Sequence, residues 1–203
     1  MELYLNQTSP YARVVRICAI EKKLINDVTL KWVDPWTDDG ELLKANPNSR
    51  IPALVTADGN AIAESLLIAL YLDGFDSGHS LAPQHNREEI LSLAGLGQGL
   101  TDAAFTTVIS RKHLGSESDQ SVLGERRHRA IVRCLRRLDE AVEREVMGSE
   151  INLAQIINAV ALSYIAFRLP EIHWQSDFPK LADWYNRISK RESVVATAFV
   201  ESC

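Results

Sequence analysis

Thr8-Ser9-Pro10-Tyr11-Ala12-Arg13-Val14-Val15-Arg16 stands where a strand pattern gives way to a helical one. Before it, Leu3 and Leu5 alternate with Glu2, Tyr4 and Asn6, as in a half-buried strand; after it, Val14, Ile17 and Cys18 recur at helical spacing. Ser9 therefore reads as an N-cap and Pro10 as the first helical residue. A helix start presents unpaired backbone N–H groups and the positive end of the helix dipole, which together favour a negative group beside Ser9, such as a thiolate or phosphate. A plain helix cap is the competing reading of an isolated Ser-Pro. The downstream sequence has to separate the two.

Asn46-Pro47-Asn48-Ser49-Arg50-Ile51-Pro52-Ala53-Leu54-Val55 sets two prolines around a polar turn, then enters a short apolar run bounded by Asp58-Gly59. This is a strand followed by a hairpin turn. Pro52, just before the strand, can fix a tight turn, with the cis peptide bond one of its two options, and so leave the Ile51 backbone available to a peptide-like ligand. Next, Ala63-Glu64-Ser65 opens the apolar helical run Leu66 to Leu72. Ser65 is expected to cap that helix and offer its hydroxyl and N–H groups to a carboxylate, with Glu64 taking an ammonium group. An amino-acid headgroup carries both charges.

These three segments, in this order and spacing, resemble the glutathione S-transferase family, and the likeness runs the length of the chain. Ser9-Pro10-Tyr11-Ala12-Arg13 is similar to the active-site motif in its serine form, as in small bacterial transferases with a Ser-Pro-Tyr/Phe motif. Asn46-Pro47 through Arg50-Ile51-Pro52 is similar to the cis-proline loop, and Glu64-Ser65 to the pair that grips the γ-glutamyl end of glutathione. The resemblance implies a glutathione site formed by Ser9, Tyr11, Arg50, Ile51, Pro52, Glu64 and Ser65. In it Ser9 is the catalytic hydrogen-bond partner of the sulfur, Arg50 lies near the glycine end and Ile51 pairs with the cysteinyl backbone. It also implies attack of the thiolate on an electrophilic small molecule held against the helical domain, and a homodimer with the helix from Arg87 as a candidate interface. Glutathione-dependent isomerisation, dehalogenation or peroxide reduction on the same fold, and a non-catalytic binding role, are the alternatives. Branches that form mixed disulfides commonly carry Cys where this chain has Ser9.

The rest of the chain fits a two-domain plan. Residues 1–75 read as a thioredoxin-like α/β domain, βαβαββα; 76–86, with Gly78 and Pro83, as a linker; and 87–203 as an all-α helical domain. Helices are expected from about Arg87 to His113, Leu123 to Met147, Asn152 to Arg168 and Pro179 to Arg191, with a short turn after Ser193. Asn152 and Gln155 form a capping-box pattern where the family usually carries Ser or Thr and Asp. The stretch Phe178 to Ile188 is similar to the family's closing helix, and its Leu181, Trp184, Tyr185 and Ile188 make one apolar stripe. With 203 residues and 46% hydrophobic composition, the chain can bury its cores without a disulfide or metal staple.

A net charge of −5 gives no general attraction to nucleic acid or anionic membranes. The start of the chain reads as a strand rather than a signal peptide, and no apolar run reaches the roughly 18 residues that span a bilayer, so a cytoplasmic protein is expected. Cys18, Cys134 and Cys203 form no CxxC; Cys18 is expected in the core and Cys203 on a mobile terminus. The five histidines lack metal spacing, so no metal is expected.

Gly95, Gly97 and Gly99 sit inside a helical pattern and read as close helix packing. Asp102 nearby is either an exposed helix acid or, by the resemblance, a group that reaches the partner subunit's glutathione amine. Arg126, Arg129, Arg133, Arg136 and Arg137 make a basic stripe, read as a solvated face offset by neighbouring acids, with binding of nucleic acid or an acidic protein as the competing reading. Trp32 is expected in the core, whereas Trp36 has two readings, loop residue or cleft border.

Overall fold

The computed structural model describes residues 1–75, 78–148 and 150–200. The expectation for Cys203 and the first two linker positions fall outside these residues. By its internal contacts the chain divides into two compact units: Met1–Pro83 together with the stretch from Glu192, and Gln84–Arg191.

The first unit runs β1 (Glu2–Leu5), α1 (Pro10–Glu21), β2 (Thr29–Trp32), α2 (Gly40–Ala45), β3 (Ala53–Val55), β4 (Ala61–Ala63) and α3 (Ser65–Asp73). This is the expected βαβαββα order. The strands form one mixed sheet, β2-β1-β3-β4, in which β1 and β2 are parallel and the other pairings antiparallel. Gly59, at φ +81°, makes the β3–β4 turn, in a left-handed conformation that strains any residue with a Cβ. Strand alternation sorts the core. Tyr4 and Ala53 pack with Leu42 of α2, joined by Val33, Ala45, Ile51 and Val55, while Leu3, Leu5 and Leu54 point to the opposite face and are fully buried. Helices α1 and α3 pack on each other, with α3 against β3 and β4.

Trp32 departs from its expected place in the core. It is 50% exposed, because β2 is an edge strand and Trp32 its last residue. The Arg16 guanidinium lies 5.5 Å from its ring centroid and covers part of it.

The second unit contains α4 (Arg87–Leu114), α5 (Val122–Ala141), α6 (Glu145–Gly148), α7 (Leu153–Arg168), α8 (Trp174–Asp177) and α9 (Pro179–Ile188). The single helix expected over Leu123–Met147 is two helices, with a turn closed by the Arg144 N–H on the Ala141 carbonyl. Met147 lies off the stripe of Ile131, Leu135, Leu138 and Val142, and the turn is what lets all five be buried. Helix α7 is the centre of the unit: every residue from Leu153 to Leu162 is buried, and α7 packs along α4.

Its start explains the unusual capping pair. The Asn152 side chain accepts from the Gln155 N–H at 3.1 Å, as a cap should. Both amides also donate to the Val146 carbonyl, at 2.7 Å from Asn152 and 3.0 Å from Gln155. A Ser/Thr and Asp pair lacks those NH₂ donors, so Asn and Gln tie α6 to α7 as well as capping it.

Of Gly95, Gly97 and Gly99 in α4, only Gly97 is explained by close packing. A Cβ there would meet Asn158 Oδ1 at 2.5 Å and Ile157 Cγ2 at 3.0 Å, whereas Gly95 and Gly99 face open space. Gly97→Ala is expected to cost about 1–3 kcal/mol by overpacking α4 against α7, and Gly99→Ala to be neutral or mildly stabilising through helix propensity. Chemical denaturation of the two variants checks this contrast.

The C-terminal stretch carries α10 (Glu192–Val195). The sequence pattern places it in the helical half, yet it packs on α1 in the first unit. The reason lies in α1 itself, where Arg13, Arg16 and Glu21 hydrogen-bond Val194, Ala196, Thr197 and Ser193.

Candidate functional site

The sheet register brings the three sequence segments to one edge. Tyr4 near the end of β1 is opposite Ala53 at the start of β3, and Ala53 is opposite Ala63 at the end of β4. The chain leaving β1 toward Ser9, the chain entering β3 through Ile51-Pro52, and the chain leaving β4 through Glu64-Ser65 therefore share that edge. Helices α1 and α3 both begin there, so two positive helix ends meet at the same place.

Ser9 is the N-cap of α1 and is 7% exposed. Its Oγ accepts the Ala12 N–H at 3.2 Å, and its hydroxyl proton is uncommitted among the described residues. Pro10 and Tyr11 follow as the first two helical residues, Tyr11 half-buried. The turn before the cap is organised by Asn6, whose Oδ1 accepts the N–H groups of Ser9 at 2.8 Å and Thr8 at 3.2 Å. In the sequence pattern Asn6 reads only as a polar strand position. Asn three residues before a cap is an Asx-turn former, and that was the available signal.

The Ile51–Pro52 peptide bond is cis. Pro52 is buried, Ile51 half-buried and Arg50 exposed. Buried Asn46 shapes this loop: its Nδ2 donates to the Arg50 carbonyl at 2.8 Å, and its Oδ1 accepts the Asn48 N–H at 3.2 Å. In the sequence nothing marks Asn46 for this role beyond its place before Pro47.

At the third segment one expectation is corrected. Glu64, not Ser65, is the cap of α3; Ser65 is the first helical residue and is 3% exposed. The chain turns at Glu64 through φ +70° and ψ 120°, a conformation rare for a residue with a Cβ and costing of order 1–3 kcal/mol. Glu64 makes no side-chain cap bond and is exposed. The Ser65 hydroxyl and N–H have no hydrogen-bond partner among the described residues, so the polar groups expected there are present although the capping role is not.

Asp102 lies in the second unit, on the exposed side of α4, where it accepts from Gln98 Nε2 at 3.1 Å. All five arginines of the α5 stripe are exposed; Arg129 pairs with Glu125 and Arg137 with Glu140, both at 3.3 Å. Trp36 is 57% exposed in the Asp34–Thr37 turn. Cys18 is fully buried, and burial pushes its thiol well above the ordinary range, which leaves it neutral and unreactive. Among the described residues no group of His, Cys, Asp and Glu is placed to hold a metal, and no helix is long and apolar enough to cross a membrane.

Comparison with known proteins agrees with this arrangement. Residues 8–74 match the glutathione S-transferase N-terminal domain and residues 122–187 its C-terminal domain. A glutathione transferase family member from Pseudomonas fluorescens Pf-5, solved with bound glutathione, is 32% identical, with TM-score 0.90 over 98% of this chain and 99% of that one. A glutathione S-transferase from Methylobacillus flagellatus KT, also with glutathione bound, is 32% identical, with TM-score 0.88 over 98% and 99%. The uncharacterized GST-like protein YibF of Escherichia coli K12 is 27% identical over 97% of this chain and 98% of its own length. The chain belongs to the glutathione S-transferase family.

Proposed function

We propose that the protein is a glutathione transferase in which the Ser9 hydroxyl donates a hydrogen bond to the glutathione sulfur and so holds it, its proton released to water, as a thiolate for attack on an electrophilic small molecule. The observation that carries this reading is the Ser9 hydroxyl: its oxygen accepts in the helix cap, and its proton has no acceptor among the described residues, at the positive end of α1. A cysteine-like thiol with a pKa of about 8.5 is only ~3% ionised at neutral pH. Lowering that pKa by about two units takes ~2.7 kcal/mol and leaves most of the thiol ionised. A charge-assisted hydrogen bond supplies roughly 1.5–3 kcal/mol and a helix terminus about 0.3–1, enough together.

The other roles follow the edge of the sheet. Ser65 and its N–H take the γ-glutamyl carboxylate, Glu64 the amine, Ile51 the cysteinyl backbone beside cis Pro52, and Arg50 the glycine carboxylate, with Tyr11 beside Ser9. In the same reading the protein is a cytoplasmic homodimer, and Asp102 reaches the partner's glutathione amine. Serine at position 9 speaks against mixed-disulfide chemistry, because a hydroxyl cannot form that bond.

Calorimetric titration with glutathione tests the site. Wild-type protein is expected to bind in the micromolar to millimolar range, and Ser65→Ala about tenfold more weakly, the effect of losing one hydrogen bond to a charged group. Absence of binding by the wild type overturns the reading.

A further inference from the structure

We propose that Arg13 is a positioning residue for the thiolate site, and that it acts by clasping the C-terminal segment 194–199 against α1. This rests on the glutathione reading above. Arg13 is 4% exposed, and a guanidinium is buried only where its donors are met. Its Nη2 donates to the Val194 carbonyl at 2.9 Å, its Nε to Thr197 Oγ1 at 3.3 Å, and its Cζ lies 4.5 Å from the centroid of the Phe199 ring. Thr197, 1% exposed, is fixed in turn by donating to the Ser193 carbonyl at 2.8 Å. Ser193 Oγ donates to Glu21, and Arg16 Nη2 reaches the Ala196 carbonyl at 3.4 Å. Three side chains along one helix thus hold five residues of the C-terminal segment.

The clasp sits where it bears on Ser9. The Arg13 N–H closes the first helical hydrogen bond, to the Ser9 carbonyl at 3.1 Å. Its neighbour Ala12 supplies the N–H that fixes Ser9 Oγ at 3.2 Å. The residue that grips the C-terminal segment is therefore the one that closes the turn carrying the catalytic hydroxyl. First turns fray unless something outside the helix restrains them. Asn6 restrains the turn before the cap, and the docked C-terminal segment restrains the helical turn after it, so undocking loosens the Ser9 cap geometry.

The test reads the thiol pKa of bound glutathione by ultraviolet thiolate absorbance across pH, with thermal melting alongside. Arg13→Met is expected to raise that pKa by about one unit, so that activity lost at neutral pH returns as the pH rises. Arg13→Lys, which keeps the charge and loses the two-pronged fork, should shift it less. Thr197→Val and Phe199→Leu leave α1 untouched and are expected to move the pKa in the same direction; they decide the matter if Arg13→Met does not fold. Folded variants with an unchanged thiol pKa overturn the positioning role while leaving the glutathione site standing. If wild-type protein itself does not lower the thiol pKa, the thiolate reading fails first and this proposal falls with it.

Discussion

Ser9→Ala is expected to lower kcat/KM for conjugation at neutral pH by about 10- to 100-fold, the effect of one hydrogen bond to a charged group, while glutathione still binds. The loss should fall on kcat, since the hydroxyl in this reading acts on the sulfur and the remaining contacts to the peptide are intact. Its sign with pH follows from the mechanism. Removing the donor raises the pKa of the bound thiol, so the variant has less thiolate at neutral pH and recovers as the pH passes the raised value. Ser9 also caps α1, and its removal costs about 1 kcal/mol of stability by that route alone. Ser121 is the control: it caps α5 through the Gly124 N–H at 3.0 Å and lies in the second unit. Ser121→Ala should lose similar stability and keep its activity. Unchanged turnover in Ser9→Ala would move the thiolate-holding role to Thr8, Tyr11 or a backbone N–H.

The features legible in the sequence were those set by local chemistry. The alternation of Leu3 and Leu5 marks β1 as a strand, although Tyr4 on its other face is buried too, and Ser9-Pro10 marks a helix start because proline needs no N–H there. What escaped depended on partners distant in sequence or on sheet order. Trp32 ends β2, and only the order β2-β1-β3-β4 makes that strand an edge. Glu64 takes the cap from Ser65 through a positive φ that nothing in its side chain favours. Asn6 and Asn46 act through bonds to the backbone of nearby turns, which leave no periodic trace. The Arg13–Thr197 bond joins positions 184 apart, and no pattern in either segment announces the other.

The same distinction between local and distant partners governs the largest expected stability change. Lys22 at the end of α1 faces Asp73 at the end of α3, Nζ to Oδ1 at 3.3 Å, with side chains 2% and 12% exposed. Lys22 also donates to the His79 carbonyl at 2.7 Å, and Asp73 accepts from Leu81 N–H at 2.7 Å and Ser80 Oγ at 2.8 Å. This cluster ties the two helices that begin at the candidate site to the chain that leaves α3. Asp73→Asn keeps the shape and an acceptor for Leu81, but leaves a buried ammonium facing a neutral amide. That is expected to cost about 3 kcal/mol, a midpoint drop of about 1–2 M in urea. Lys22→Met should cost less, because Asp73 retains its hydrogen bonds to Ser80 and Leu81. The double variant should be more stable than Asp73→Asn alone, since it no longer buries an ammonium whose facing carboxylate has been neutralised. Salt separates this from a surface effect: a pair so little exposed is barely screened, so the loss should be nearly the same in low and high salt. An Asp73→Asn loss that vanishes in high salt, or a double variant no better than the single, would show that the carboxylate acts through its bonds to Ser80 and Leu81 rather than through the ion pair.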